Sequence, residues 1–311
     1  MQAGPTLFDR AVVRALPAVP RPVVRRLASP YIAGTALEHA LATVRGLNAR
    51  SRMATVDVLG EESSSLDEAH ELSDAYRSLL DAIRDEGLDS NVSVKPTGLG
   101  LKLDEDACRE LHAGLVLAAD ERSSLVRIDM EDASTTDATL DLYRWLRGQA
   151  LDRVGIVLQA RLRRTLDDVA AVAPLKPNVR VCKGVYLEPP EIAYTGKEEI
   201  RNGFADTVDA LFAAGCYVAI ATHDEEVVKR AKASIAAHGI GRDGYEFQML
   251  LGVRDVLGEQ LVREGHRLRV YVPFGSRWYE YSLRRLHENP RLAGAIARST
   301  FGRLVPRRKH R

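Results

Sequence analysis

Cysteine is scarce: Cys108, Cys182 and Cys216 are the only three in 311 residues. They are odd in number, far apart and in no CxxC or zinc-ligand spacing. That excludes a secreted disulfide scaffold and makes a reducing compartment the default. Net charge is nearly absent, with 44 Lys+Arg against 43 Asp+Glu. A dedicated nucleic-acid binder needs a net basic surface against phosphate, so no nucleic-acid partner is expected. No apolar run approaches the roughly 20 residues that cross a bilayer. The first residues lack the unbroken apolar core of a signal peptide, so a cytoplasmic location is expected. No GxGxxG follows a strand-like segment, which weighs against a doubly wound dinucleotide fold.

What is present is a regular alternation. Short β-rich runs occur at 53–60, 91–96, 124–131, 154–160, 178–184, 217–223, 245–251 and 266–273. Most are nearly continuous in apolar residues, as strands covered on both faces should be. Segments with helical spacing follow them at 66–87, 104–122, 135–148, 162–173, 191–214, 224–239, 253–265 and 277–288. Asp104 and Asp224 stand where N-caps belong, with acids in the next turn. Gly148, Gly215, Gly239 and Gly265 fall near helix ends, where a left-handed residue is wanted. Eight strand–helix units predict an α/β protein, a distorted (βα)8 TIM-like barrel. The organisation read from this is a helical N-terminal extension over 1–52, a barrel over 53–290 and a basic C-terminal tail over 291–311.

In such a barrel the reacting groups come from the C-terminal ends of strands. Reading those ends in turn gives Glu61, Lys95, Asp129 with Glu131, Gln159, Arg180 to Lys183 and Gly184, Thr222 with His223, Gln248, and Tyr271. Burying so many polar groups of both signs is costly unless they pair or face a ligand. A metal hydrolase would want paired histidines here, and only His223 stands at a strand end, so no metal is expected. A Schiff-base aldolase would use Lys95 or Lys183. A site for a large anionic cofactor and a small charged substrate suits the mixture of Arg, Lys, Gln and Thr. A barrel that merely serves as a binding scaffold is the remaining alternative. On the last helix, Tyr281, Arg284 and Arg285 share one face, and two planar guanidiniums make a ready carboxylate clamp.

Nine segments in order give this ring a closer likeness: DVLGE (57–61), SVKPTGLG (93–100), IDMED (128–132), VLQA (157–160), RVCKGVY (180–186), ATHD (221–224), YEFQMLLG (245–252), YVPFG (271–275) and YSLRRL (281–286). Together they resemble the proline dehydrogenase family, flavoenzymes that oxidise L-proline, in the monofunctional bacterial form. The likeness runs from about Asp57 to Glu288. Departures are small: Val185 stands where Ala is common, and Cys182 where an aliphatic residue is common.

The resemblance implies FAD over the strand ends. Met130, Gln159, Arg180, Lys183, Gly184, Val185, Thr222 and His223 would be cofactor contacts. Lys95, Asp129, Leu250, Tyr271, Tyr281, Arg284 and Arg285 would form the proline pocket, with Asp129 the natural counter-ion of Lys95. Asp129 and Arg180 would act on the chemistry itself, and Glu61 would close over the substrate as a gate. The resemblance further implies a quinone as electron acceptor. The basic residues of 1–52 and of RLVPRRKHR (303–311) offer a physical basis for peripheral contact with an anionic membrane face.

Overall fold

The computed structural model describes residues 24–25, 28–279 and 281–283. Eight parallel strands close into a barrel in chain order: β1 Met53–Val58, β2 Ser90–Val94, β3 Val126–Ile128, β4 Val154–Gln159, β5 Asn178–Cys182, β6 Tyr217–Ala221, β7 Tyr245–Leu250 and β8 Leu268–Phe274. Every strand overlaps the segment that the sequence predicts. Helices are α1 Leu37–Asn48, α2 Leu66–Asp85, α3 Glu105–Glu121, α4 Thr136–Gly148, α5 Thr165–Val172, α6 Lys197–Ala213, α7 Glu225–Ala237 and α8 Asp255–Arg263.

The caps explain where these helices start. Asp104 accepts from the Asp106 and Ala107 N–H groups at 3.0 Å, and Asp224 from Glu226 N–H at 3.0 Å. Ser65 caps α2 through Glu68 N–H. These oxygens satisfy donors that the first helical turn leaves without partners. Helix α6 starts at Lys197 rather than at 191. The chain at 192–194 is held instead against 161–163, through Arg163 N–H to Ile192 O at 2.9 Å and Tyr194 N–H to Arg161 O at 2.8 Å. Gly215, Gly239 and Gly265 have positive φ as expected, but Gly148 does not; Ala150, two residues on, takes the left-handed turn at φ 58°.

Two features distort the barrel. Helix α1 packs its buried Ala40, Leu41, Val44 and Leu47 against β1 and β8, the place a regular barrel gives to its last helix. The segment after β8 instead turns over the mouth, where Tyr281 joins Leu59, Ile32 and Ala28 in a small apolar cluster. The second distortion is at the β1–β2 seam, which pairs only from Ala54↔Ser90 to Val56↔Val92. Above it the Tyr76 hydroxyl enters from α2. It accepts from Val58 N–H at 3.2 Å and lies 2.6 Å from Ser93 O and 3.1 Å from Asp57 Oδ1. One phenol thus satisfies ladder groups that the split leaves open.

Helix α3 carries a fully buried His112 whose Nδ1 lies 2.8 Å from Cys108 O. Burial holds its pKa down, to about 4. The unfolded chain titrates near 6.5, so as pH falls from there the unfolded state takes up the proton first. Stability from the neutral imidazole is full above that value and is lost as pH falls towards 4, by roughly 3 kcal/mol in total. We therefore expect the urea midpoint to drop between about pH 7 and pH 5. The drop should be clearly smaller in His112→Leu. An equal drop in both proteins would assign the acid sensitivity elsewhere.

Candidate active site

Side chains alternate along a strand, so one set points into the barrel. TIM barrels normally fill that space with branched apolar residues. Here it is charged. The lower layer holds Arg127, Glu246 and Arg269. Arg269 Nε donates to Glu246 Oε1 at 2.8 Å and Nη1 to Ala54 O at 2.6 Å. Arg127 reaches the carbonyls of Ile156 and Asn178. Burial opposes ionisation of Glu246, yet Arg269, Gln248 and Arg127 together hold its pKa down to about 2.

The upper layer, at the strand ends, holds two ion pairs. Lys95 Nζ sits 2.8 Å from Asp57 Oδ2 and 3.6 Å from Glu61 Oε1, with the Tyr271 hydroxyl at 3.5 Å. Burial works against its charge, but Asp57, Glu61 and Asp129 outweigh that and raise its pKa. The second pair joins Arg180 Nη1 to Asp129 Oδ1 at 2.6 Å. The same carboxylate accepts from Ser93 Oγ at 2.7 Å and from the Tyr271 hydroxyl at 3.2 Å. Burial and the Asp129 and Asp57 carboxylates push the Tyr271 phenol well above its ordinary value, so it remains a donor. Arg180 Nε donates to Gln248 Oε1 at 2.6 Å, and the guanidinium lies 5.4 Å over the Tyr271 ring. Its Nη2 is buried and has no hydrogen-bond partner among the described residues.

The other predicted positions surround this layer. Gln159 donates from Nε2 to Glu131 O at 2.7 Å. Gly184 has φ +92°, and an added Cβ would lie 2.9 Å from Gln159 Oε1 and 2.9 Å from Arg161 Cδ. Only glycine fits that turn: the Gln159 and Arg161 side chains occupy the space a Cβ would need, and Gly184 is itself buried between exposed Lys183 and Val185. Thr222 Oγ1 accepts from Asp224 N–H at 3.1 Å, while Asp224 itself caps α7. His223 Nε2 accepts from Leu250 N–H at 2.9 Å, tying the ends of β6 and β7 together. Met130 is buried at the β3 end. Tyr281 and Glu61 line a cleft of about 400 Å³ beside the mouth, with Leu59, Tyr186 and Arg277. Arg284 and Arg285 lie outside the described residues.

The nearest carboxylate to Lys95 is Asp57, not the expected Asp129. Lys95, just past the end of β2, lies between β1 and β3, and the register at the split β1–β2 seam brings Asp57 in first. Sequence reasoning passed over Asp57, Ser93 and Glu246 as site residues. Their signal was an acid or hydroxyl at every second position of an apolar strand, the inward set.

A closed α/β barrel whose strand ends carry two ion pairs and a buried guanidinium N–H without a partner among the described residues has the layout of an enzyme active site. Comparison with known proteins narrows this. Residues 40–298 match the family model for proline dehydrogenase, and the chain belongs to that family: it is an oxidoreductase that acts on proline, in proline catabolism. It is 38% identical over 274 residues to proline dehydrogenase of Deinococcus radiodurans, covering 87% of this chain and 88% of that one. It is 36% identical over 266 residues to proline dehydrogenase 1 of Bacillus subtilis subsp. natto, covering 86% and 88%. Among solved structures, proline utilization A from Bdellovibrio bacteriovorus, inactivated by N-propargylglycine, has a similar fold. The TM-score is 0.81 at 22% identity over 96% of this chain, which spans 38% of that longer protein.

Proposed function

We propose that this chain oxidises L-proline to Δ1-pyrroline-5-carboxylate with FAD as its cofactor. When bound, FAD supplies the acceptor for the hydride that leaves proline C5. The observation that carries this reading is Arg180 Nη2, a buried N–H without a partner, in a guanidinium otherwise fixed by Asp129, Ser93 and Gln248. A cation held in this way favours an electron-rich ring beside it. Met130, Gln159, Arg180, Lys183, Gly184, Val185, Thr222 and His223 would hold the cofactor.

The chain's own residues would hold proline with its nitrogen neutral, so that the lone pair can form C=N as C5 gives up hydride. Lys95, kept charged by its carboxylates, attracts the proline carboxylate. Tyr271, Tyr281 and Leu250 would wall the ring. Asp129 takes donors from Arg180, Ser93 and Tyr271, so its role is to orient them, and no side chain is assigned as a strong base. A lysine nucleophile needs a lowered pKa, and that of Lys95 is raised. The Schiff-base reading therefore gains no support. A quinone is the expected final electron acceptor, with contact at an anionic membrane face. Among the described residues no helix is long and apolar enough to cross a membrane.

We assign the proline carboxylate to Arg284 and Arg285 on the strength of their helical spacing beside Tyr281. Charge-assisted bonds of this kind are worth roughly 1.5–3 kcal/mol, so Arg284→Met or Arg285→Met should each cost about one to two powers of ten in kcat/KM for proline. Pyrrolidine, which lacks the carboxylate, should be nearly indifferent to them. Equal loss for both substrates would remove the clamp. Glu61, 3.6 Å from Lys95, would close over the substrate by pairing with one of these arginines. Coupling between Glu61→Ala and either arginine in a double-mutant cycle of proline binding supports that gate, and additivity refutes it.

The cofactor assignment is tested on purified protein. It should be yellow and release FAD on heating. A colourless protein that gains no proline oxidation when FAD is added would overturn it.

A further inference from the structure

We propose that Gln248 is a positioning residue for Arg180, and that Glu246 acts behind it as the group that fixes which way its amide points. Glu246, Gln248 and Leu250 lie at alternate positions of β7 and rise through the barrel from floor to mouth. The Glu246 carboxylate takes three donors: Arg269 Nε at 2.8 Å, the Tyr217 hydroxyl at 2.9 Å and Gln248 Nε2 at 2.6 Å. It is ionised across the working pH range, and an ionised carboxylate only accepts. Above it, Arg180 Nε meets Gln248 Oε1 at 2.6 Å, and a guanidinium only donates. Gln248 is therefore clamped between an obligate acceptor and an obligate donor. A flipped amide would set N–H against N–H above and oxygen against oxygen below, so one orientation survives.

This geometry fixes the guanidinium plane. Asp129 and Ser93 hold the Nη1 side and Gln248 holds the Nε edge, on opposite walls of the barrel. With both anchors in place, Nη2 is the one nitrogen of the group left without a partner among the described residues. Without Gln248 the guanidinium can pivot about its bonds to Asp129, which keeps the charge in the site but turns Nη2 away. The inference rests on the flavin reading given above for Arg180.

The test is Gln248→Met, which keeps the volume and removes both polar contacts. Gln248→Asn serves as the second variant. It leaves a polar amide in the barrel, so the fold is kept, but it is one methylene too short to meet Glu246 and Arg180 together. Three quantities are read on the flavin-loaded fraction: the flavin midpoint potential, kcat, and KM for proline. Positioning predicts a potential lower than wild type in either variant and a fall in kcat of roughly tenfold, with KM changed by less than about threefold. A purely structural role lowers the melting temperature or the flavin content and leaves the loaded fraction's potential and kcat at wild-type values; that result overturns the proposal. Wild-type protein that carries no flavin and gains none on FAD addition would instead refute the cofactor assignment, so the two failures are distinguishable.

Discussion

Arg180→Met should lose flavin and most activity while the barrel remains folded. Arg180 joins β5 to the ends of β3, β2 and β7 across the mouth, through Asp129, Ser93 and Gln248. Removing it strands the Asp129 charge, which costs stability, but leaves that carboxylate Ser93 and Tyr271 as donors, so the cost should stop short of unfolding the barrel. The loss of function falls on the ligand side, where Nη2 has no partner among the described residues. Loss of one preorganised donor from a dry site costs about 10²–10³ in kcat. Lysine should rescue only part of this, since it keeps the charge but not the fork that meets three partners. Flavin content per chain and kcat/KM are the quantities to measure. A variant that keeps full flavin and loses only proline affinity would move Arg180 from the cofactor to the substrate.

The second large effect is expected at Asp57. Its side chain is 1% exposed and that of Lys95 9%, and their charges meet at 2.8 Å. Asp57→Ala leaves Lys95 with Glu61 at 3.6 Å as its nearest carboxylate and takes an acceptor from Tyr76. Breaking a buried pair from one side costs roughly 3–5 kcal/mol, because the surviving charge is stranded. With Asp57 gone, burial is opposed by less negative charge, and the raised pKa of Lys95 must fall. Lys95 should then react faster with amine reagents near neutral pH. Urea unfolding and labelling of Lys95 measure the two effects. Unchanged stability together with unchanged labelling would show that the pair does not form in solution.

The barrel was legible because strand and helix periods alternate through most of the chain, and the caps at Asp104 and Asp224 stand where the pattern puts them. The strand-end residues were legible for the same reason: a barrel gathers them at one face whatever their distance in sequence. Partner choice was not. Lys95 has acids on the strands to either side, and strand assignment alone does not say which is nearer. Register and the split seam decide for Asp57. The start of α6 was misplaced because Pro189 and Pro190 suit the start of a helix as well as a turn, and the contacts that hold 192–194 against 161–163 are tertiary. Tyr76 gave no signal either. A tyrosine on the buried stripe of a helix looks like packing until the strands beside it separate.

The account rests on proline being oxidised at this layer of paired charges, and anaerobic addition of L-proline to the purified protein tests it most directly. The visible flavin band should bleach, with Δ1-pyrroline-5-carboxylate appearing in step, and Arg180→Met reloaded with FAD should bleach far more slowly. A protein that stays unbleached by L-proline, or an Arg180→Met variant that bleaches at the wild-type rate, would contradict it.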